Sequence, residues 1–217
     1  ALRNFLIKRG FDENRITVTG NAVETDLIMQ SRKDGRYHID ALFIGRISEA
    51  KGIYDMLDVL SVVKKRYPNF QLALMGKGDS SAENRFKKQV NAMGLENNVQ
   101  FLGYKVGLEK FNIIKSSRCF LFLSLSESFG VSLLEAVCSG LPAFVYDLEP
   151  YKNIYQNHEV FVFTKNDRSA VATKVIEIFD KMDFENKAGK LLLLKYRWDK
   201  IAETELSAIN NTPAMTG

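Results

Sequence analysis

The chain alternates short, wholly apolar runs with longer stretches whose apolar positions recur every three or four residues. Ala41-Leu42-Phe43-Ile44 is the first apolar run, and Ile53, Met56, Leu57, Leu60 and Val63 follow it at helical spacing. Gln71-Leu72-Ala73-Leu74-Met75 predicts a second strand, stopped by Gly76. A polar helix then carries Phe86, Val90 and Met93, with Gly94 placed to end it. Val99-Gln100-Phe101-Leu102 reads as a strand closed by Gly103, and a short helix is predicted from Leu108 to Ile114. Cys119-Phe120-Leu121-Phe122-Leu123 is apolar throughout, and a helix from about Val131 to Ser139 stops at Gly140. Two further strands, Pro142 to Tyr146 and Val160 to Phe163, precede a helix from about Arg168 to Met182.

Strands apolar on both faces, alternating with amphipathic helices, predict a parallel sheet covered on both sides. The fold class is therefore α/β, a Rossmann-like three-layer sandwich over roughly 40–182. Both ends differ from this core. Residues 1–39 read as a helix, a strand at Ile16-Thr17-Val18-Thr19, and a polar loop through Ser31 to Arg36. Residues 184–210 read as two helices with Trp198 between them. Ligands of such sheets bind beyond the carboxyl ends of the strands, where Gly45, Gly52, Gly76, Gly78, Gly103 and Gly130 collect.

Composition narrows the classes. At 217 residues, 46% hydrophobic and 26% charged, the chain can bury a core without disulfides or metals. The formal charge of +4, from 30 basic and 26 acidic residues, suits an anionic small ligand or a membrane surface. It is too small and dispersed for nucleic acid. Cys119 and Cys138 read as buried, reduced thiols of a cytoplasmic protein. The histidines, His38 and His158, are far apart in sequence, and no cysteine pair has zinc spacing, so no metal is expected. No apolar run approaches the roughly 18 residues of a membrane span, and the N-terminus lacks a signal-peptide pattern. It opens on Ala1 rather than Met, so the chain is expected to be part of a longer protein.

Four segments carry candidate chemistry. In Gly45-Arg46-Ile47-Ser48-Glu49-Ala50-Lys51-Gly52, a strand passes into a helix, and two cations lie beside a helix N-terminus that itself favours anions. Arg46 supplies a fork and Lys51 a point charge, a combination suited to a diphosphate. Taken alone, the segment reads equally well as two solvated loop cations. In Glu127-Ser128-Phe129-Gly130-Val131-Ser132-Leu133-Leu134-Glu135, the N–H groups of Gly130 to Ser132 are placed to cap a phosphate. Glu127 and Glu135 flank that point, as suits a ligand with phosphates in the middle and hydroxyls at both ends. Alone, Glu135 reads as a complement to the helix dipole and Glu127 as a loop residue. Gly76-Lys77-Gly78 is a flexible turn after the second strand. Gly103-Tyr104 offers a surface for a planar base, though a tyrosine there is more often packing. All four fall at strand ends on one edge of one sheet, which independent coincidences would not produce.

As an ordered set, Gly45-Arg46…Lys51-Gly52, Gly76-Lys77-Gly78, Phe101-Leu102-Gly103 and Glu127…Glu135-Ala136 followed by Gly140-Leu141-Pro142 resembles the C-terminal donor-binding domain of retaining GT-B glycosyltransferases. The likeness is to the glycogen-synthase-like and mannosyltransferase-like family with two glutamates separated by seven residues. The resemblance covers roughly 15–182 and implies one half of a GT-B fold. Residues 1–28 would be the end of an N-terminal domain and linker, 29–182 the nucleotide-sugar-binding domain, and 183–217 the crossover helices and tail. It implies that Arg46 and Lys51 hold the donor pyrophosphate and stabilise the leaving diphosphate without a metal or other cofactor. Glu127 would contact the sugar hydroxyls and Glu135 the ribose. Gly45, Gly76, Lys77 and Ser128 would belong to the donor-nucleotide site, the backbone at Phe129, Gly130 and Val131 would meet the distal phosphate, and Gly103-Tyr104 would flank the base. The implied activity is transfer of a hexosyl group from a UDP- or GDP-linked sugar to a saccharide or lipid-linked acceptor, as in polysaccharide biosynthesis.

Two departures from the family pattern bear on the sugar pocket. Leu123-Ser124-Leu125-Ser126 stands where a Pro-Ser pair is usual, and Asp147-Leu148-Glu149-Pro150-Tyr151 stands where a glycine-rich turn is common. A larger departure is that only one of the two expected Rossmann-like domains is in the chain, so donor binding with little or no transfer is expected of it alone. The acceptor, and any peripheral contact at the inner face of the membrane, would belong to the missing N-terminal domain. The competing readings are a nucleotide-sugar-binding module without catalysis and a GT-B-like epimerase; the paired glutamates argue against the latter.

Overall fold

The computed structural model describes residues 2–156, 160–181 and 189–210. Six parallel strands form one sheet in the order β3-β2-β1-β4-β5-β6. They are β1 (Ile39–Ile44), β2 (Leu72–Met75), β3 (Val99–Gly103), β4 (Ser117–Phe122), β5 (Ala143–Tyr146) and β6 (Val160–Phe163). Helices α1 (Leu2–Lys8) and α2 (Thr25–Gln30) precede the sheet. Helices α3 (Ile53–Arg66), α4 (Ser80–Ala92), α5 (Gly107–Ser116), α6 (Val131–Cys138), α7 (Glu149–Ile154) and α8 (Arg168–Lys181) accompany it, and α9 (Gly189–Lys195) and α10 (Trp198–Asn210) follow. Helices cover both sides of the sheet, giving the Rossmann-like layers that the apolar periodicity predicts.

The sheet forms because its central strands have no polar face to offer water. β2 and β5 are buried at every position. Phe43, Phe120 and Phe122 stack across β1 and β4, and Phe144 of β5 stacks on Phe161 of β6. Helix α3 turns its apolar stripe inward, with Met56, Leu57, Leu60 and Val63 all buried. It also buries Asp55, whose carboxylate accepts hydrogen bonds from Tyr146 Oη at 2.7 Å and Arg168 Nε at 2.8 Å. That pairing ties α3, β5 and α8 together and accounts for an acid at a core position. The chain order runs outward from β1 in one direction and from β4 in the other, so the switch point lies between these two strands.

Three details differ from the sequence expectation. Ile16–Thr19 forms no strand; a short 3-10 turn at Glu13–Arg15 precedes it and Val18 is exposed, for its β-branched residues have no strand edge to join. Helices α2 and α7 were not foreseen, and α7 occupies the segment that stands where a glycine-rich turn is common in the family, with Pro150 in its first turn, where proline is tolerated. Trp198 opens α10 rather than linking two helices. Met182, the expected end of α8, residues 184–188 and His158 lie outside the described residues.

Candidate functional site

The loops leaving β1, β2, β3 and β4 are laced together at the carboxyl edge. Gly45 N donates to Met75 O, Gly76 N to Gly103 O, Ile47 N to Lys77 O and Leu125 N to Ala50 O. Two glycines make this closeness possible. Gly52 has φ +67°, and a Cβ there would lie 1.8 Å from Leu123 O. Gly76 has φ +147°, and its Cβ would lie 1.9 Å from Gly45 O. Neither position has room for a side chain.

Between these loops and α5 and α6 lies a cleft of about 660 Å³. It brings together Gly45, Arg46, Gly76, Lys77, Tyr104 and Glu135, drawn from segments far apart in the chain. Arg46, Lys77 and Tyr104 are exposed, so the cation heads face open space. Glu135 is buried and sits opposite Lys110, whose Nζ donates to Glu135 Oε1 at 2.5 Å. Burial pushes the Glu135 carboxyl up, Lys110 pulls it back down, and nearby Glu24 adds to the rise. Lys110, Lys105 and Glu24 belong to the cleft wall without having been singled out in the sequence. Their only sequence signal is charge beside apolar helix positions, which is also how a solvated helix face reads.

The remaining candidates lie next to this cleft. Lys51 Nζ pairs with Glu127 Oε1 at 2.6 Å, and Ser124 Oγ donates to the same oxygen at 2.8 Å. Lys51 thus faces Glu127, not the space beside Arg46. Ser124, which the sequence marked only as a departure, orients Glu127 from the end of β4. Gly130 caps α6 in the left-handed conformation (φ +84°), with Tyr151 packed over it. Val131 begins α6 and is partly exposed. Gly103, also left-handed, closes β3. These three line neither this cleft nor its neighbour. Ser128 and Phe129 open onto a second groove of about 610 Å³, walled by Gly20, Pro150, Tyr196 and Ile201. Phe129 meets Tyr196 edge to face at 6.0 Å. Cys119 and Cys138 are free and buried, and burial pushes the Cys138 thiol up to about 12. No helix among the described residues is long and apolar enough to cross a membrane.

Comparison with known proteins bears on this site. The family model for "Glycosyl transferases group 1" matches residues 28–190, more than half of the chain. A mannosylfructose-phosphate synthase from Agrobacterium fabrum is 30% identical over 146 residues, 64% of this chain and 32% of that protein. A phosphatidyl-myo-inositol mannosyltransferase from Mycobacterium leprae is 28% identical over 182 residues, 81% of this chain and 47% of that one. The chain therefore spans between a third and a half of the length of these relatives. Among solved structures, Anabaena HepE in complex with UDP and glucose superposes with a TM-score of 0.84 at 16% identity, covering 97% of this chain and 61% of that one.

Proposed function

The chain belongs to the group 1 glycosyl transferases, and from that premise we propose that it is the donor-binding part of a retaining glycosyltransferase. The donor is a nucleotide-diphosphate sugar, UDP- or GDP-linked, and the acceptor is a saccharide or lipid-linked molecule held by an N-terminal domain. The observation that carries this reading is the cleft at the carboxyl edge. Exposed cations, a buried carboxylate and an aromatic ring converge there on a space of about 660 Å³. Arg46 grips the diphosphate as a fork, with Lys77 beside it. Lys51, held by Glu127 at 2.6 Å, exchanges that partner for the diphosphate when donor arrives. Glu127 is then free to accept from the sugar hydroxyls, still oriented by Ser124. The first N–H groups of α6, starting at Val131, point to the distal phosphate. Glu135 accepts from the ribose, and Tyr104 flanks the base.

In this reading the sugar–phosphate bond breaks as charge builds on the departing diphosphate. Arg46, Lys51 and the α6 N-terminus stabilise that charge, so the chain's own cations do the electrostatic work. The mannosyl group in the names of two relatives, and the UDP and glucose in the HepE complex, support a hexosyl nucleotide as ligand. The free, buried thiols Cys119 and Cys138 support placing this function in the reducing cytoplasm.

Titration calorimetry of the full chain with UDP, GDP, ADP and their sugar conjugates, without metal, tests this. Saturable binding of one nucleotide series is expected. The Arg46→Ala/Lys51→Ala variant should bind at least roughly 10-fold more weakly, from loss of charge-assisted contacts. Absence of binding by every nucleotide to a folded chain would refute the donor-site reading.

A further inference from the structure

The amino edge of the sheet holds a pocket that the donor reading does not use. It has a volume of about 420 Å³ and lies where β4 and β5 begin, against α8. Lys33, Lys115 and Arg118 line it, and its lining contains no acid. Lys115 stands in the last turn of α5, and its Nζ donates to Ser139 O at 2.8 Å, just past the end of α6. A lysine there caps the helix end, which accounts for one of its three N–H donors. No carboxylate pairs with it among the described residues; burial pulls its pKa down, and Lys190 nearby pulls it further. Arg118, at the start of β4, lays its guanidinium over the Phe179 ring at 4.0 Å and spends Nη1 on Asp40 at 3.0 Å. The other N–H groups of its fork make no hydrogen bond among the described residues. Lys33 joins them from the loop before β1 and is exposed. Two serines complete the polar lining. Ser117 Oγ is spent on Ile113 O at 2.8 Å. Ser139 is only 6% exposed, and its Oγ is buried with no partner among the described residues. The carboxyl end of α6 accounts for one cation beside it. It does not account for three converging cations and an idle buried hydroxyl, which costs stability where it stands.

We propose that this pocket binds the dianion of a phosphate monoester, with Lys115 Nζ, the open edge of the Arg118 fork and Ser139 Oγ donating to its oxygens and Lys33 closing the site from outside. Such a group carries a charge of roughly −1.5 to −2 near neutral pH and three strong acceptor oxygens. It therefore matches both the excess of cations and the count of unused donors. The planar fork of Arg118, held by the Phe179 ring, suits phosphate better than a carboxylate of single charge. A soluble monoester, inorganic phosphate and the headgroup of an anionic lipid all present this same group.

The test is titration of the full chain with inorganic phosphate at constant ionic strength, followed through its backbone amide NMR signals. Saturable shifts at Ser117, Arg118, Ser139 and Gly140 are expected. Lys115→Met and Ser139→Ala should each weaken this binding by roughly 10-fold. Ser139→Ala should unfold in urea at the wild-type concentration or above it, because its hydroxyl has no described partner to lose, so a merely structural role would leave phosphate binding unmoved. No saturable shift at these amides overturns the proposal. So do shifts that chloride reproduces at the same ionic strength, and wild-type affinity in both variants. If Lys115→Met fails to fold, Ser139→Ala decides the matter. Signals from Gly45, Arg46 and Val131 report the carboxyl edge separately, so this outcome does not depend on the donor-site reading. Sedimentation with vesicles of phosphatidic acid and phosphatidylcholine in equal parts distinguishes the sources. Capture that inorganic phosphate competes away and Ser139→Ala weakens assigns the group to a lipid headgroup. Phosphate binding without such capture assigns it to a soluble monoester.

Discussion

Replacing Gly52 by alanine asks how tightly the β1 and β4 loops depend on one missing side chain. The added Cβ would sit 1.8 Å from Leu123 O and 2.6 Å from Leu123 C, both backbone atoms that no rotamer change can move. Gly52 also holds φ +67°, which costs an L-residue roughly 1–2 kcal/mol. Forcing the β4 end aside adds an overpacking cost of about 1–3 kcal/mol. The sum is roughly 2–5 kcal/mol of lost stability. Gly94 separates the two contributions. It has φ +60° with nothing within 4 Å of its would-be Cβ, so Gly94→Ala carries the backbone cost alone. Urea unfolding of wild type, Gly52→Ala and Gly94→Ala measures the difference directly. Gly52→Ala should be the less stable variant by at least about 1 kcal/mol. Because Leu123 leads into Ser124, which holds Glu127, it should also weaken nucleotide binding. If Gly52→Ala is no less stable than Gly94→Ala, the loops do not meet as described.

Two further substitutions probe groups behind the site. Asp55→Ala removes the acceptor of both Tyr146 and Arg168. A loss on the order of 2–4 kcal/mol is expected, read as a fall in Tm of a few degrees per kcal/mol; a change under about 0.5 kcal/mol would remove the network from the account. Tyr151 Oη is buried with no hydrogen-bond partner among the described residues, so Tyr151→Phe removes an unsatisfied polar atom. It should leave stability unchanged or raise it by up to about 1 kcal/mol, and a clear destabilisation in the same assay would reveal a partner for that hydroxyl.

Much of the fold was legible because most strands are apolar on both faces. β2 and β5 cannot be read as anything but covered strands, and α3 shows nearly four turns of unbroken helical period. Helices α2 and α7 escaped because six residues hold less than two turns, too few to display a period. Ile16–Thr19 has strand propensity, but propensity without a neighbouring edge makes no strand. The site was legible to the extent that it lies at strand ends, for the motifs mark those ends. Its pairings were not. Lys51 meets Glu127 across 76 residues, and Lys110 meets Glu135 from another helix 25 residues away. No local spacing rule links such partners, since only the folded sheet edge and its flanking helices bring them together. Ser124 illustrates the same limit: its hydroxyl in an apolar run gains meaning only once Glu127 is seen beside it.

The central claim is that the nucleotide lies at the carboxyl edge, in the cleft of Arg46, Lys77, Tyr104 and Glu135. Backbone amide NMR signals followed during titration with UDP and with GDP locate it most directly. Shifts centred on Gly45, Arg46, Lys77, Lys105 and Val131, saturating with the ligand, are the predicted result. Saturable shifts centred instead on the opposite end of the sheet, at Ser117, Ser139 and Leu141, would contradict the account.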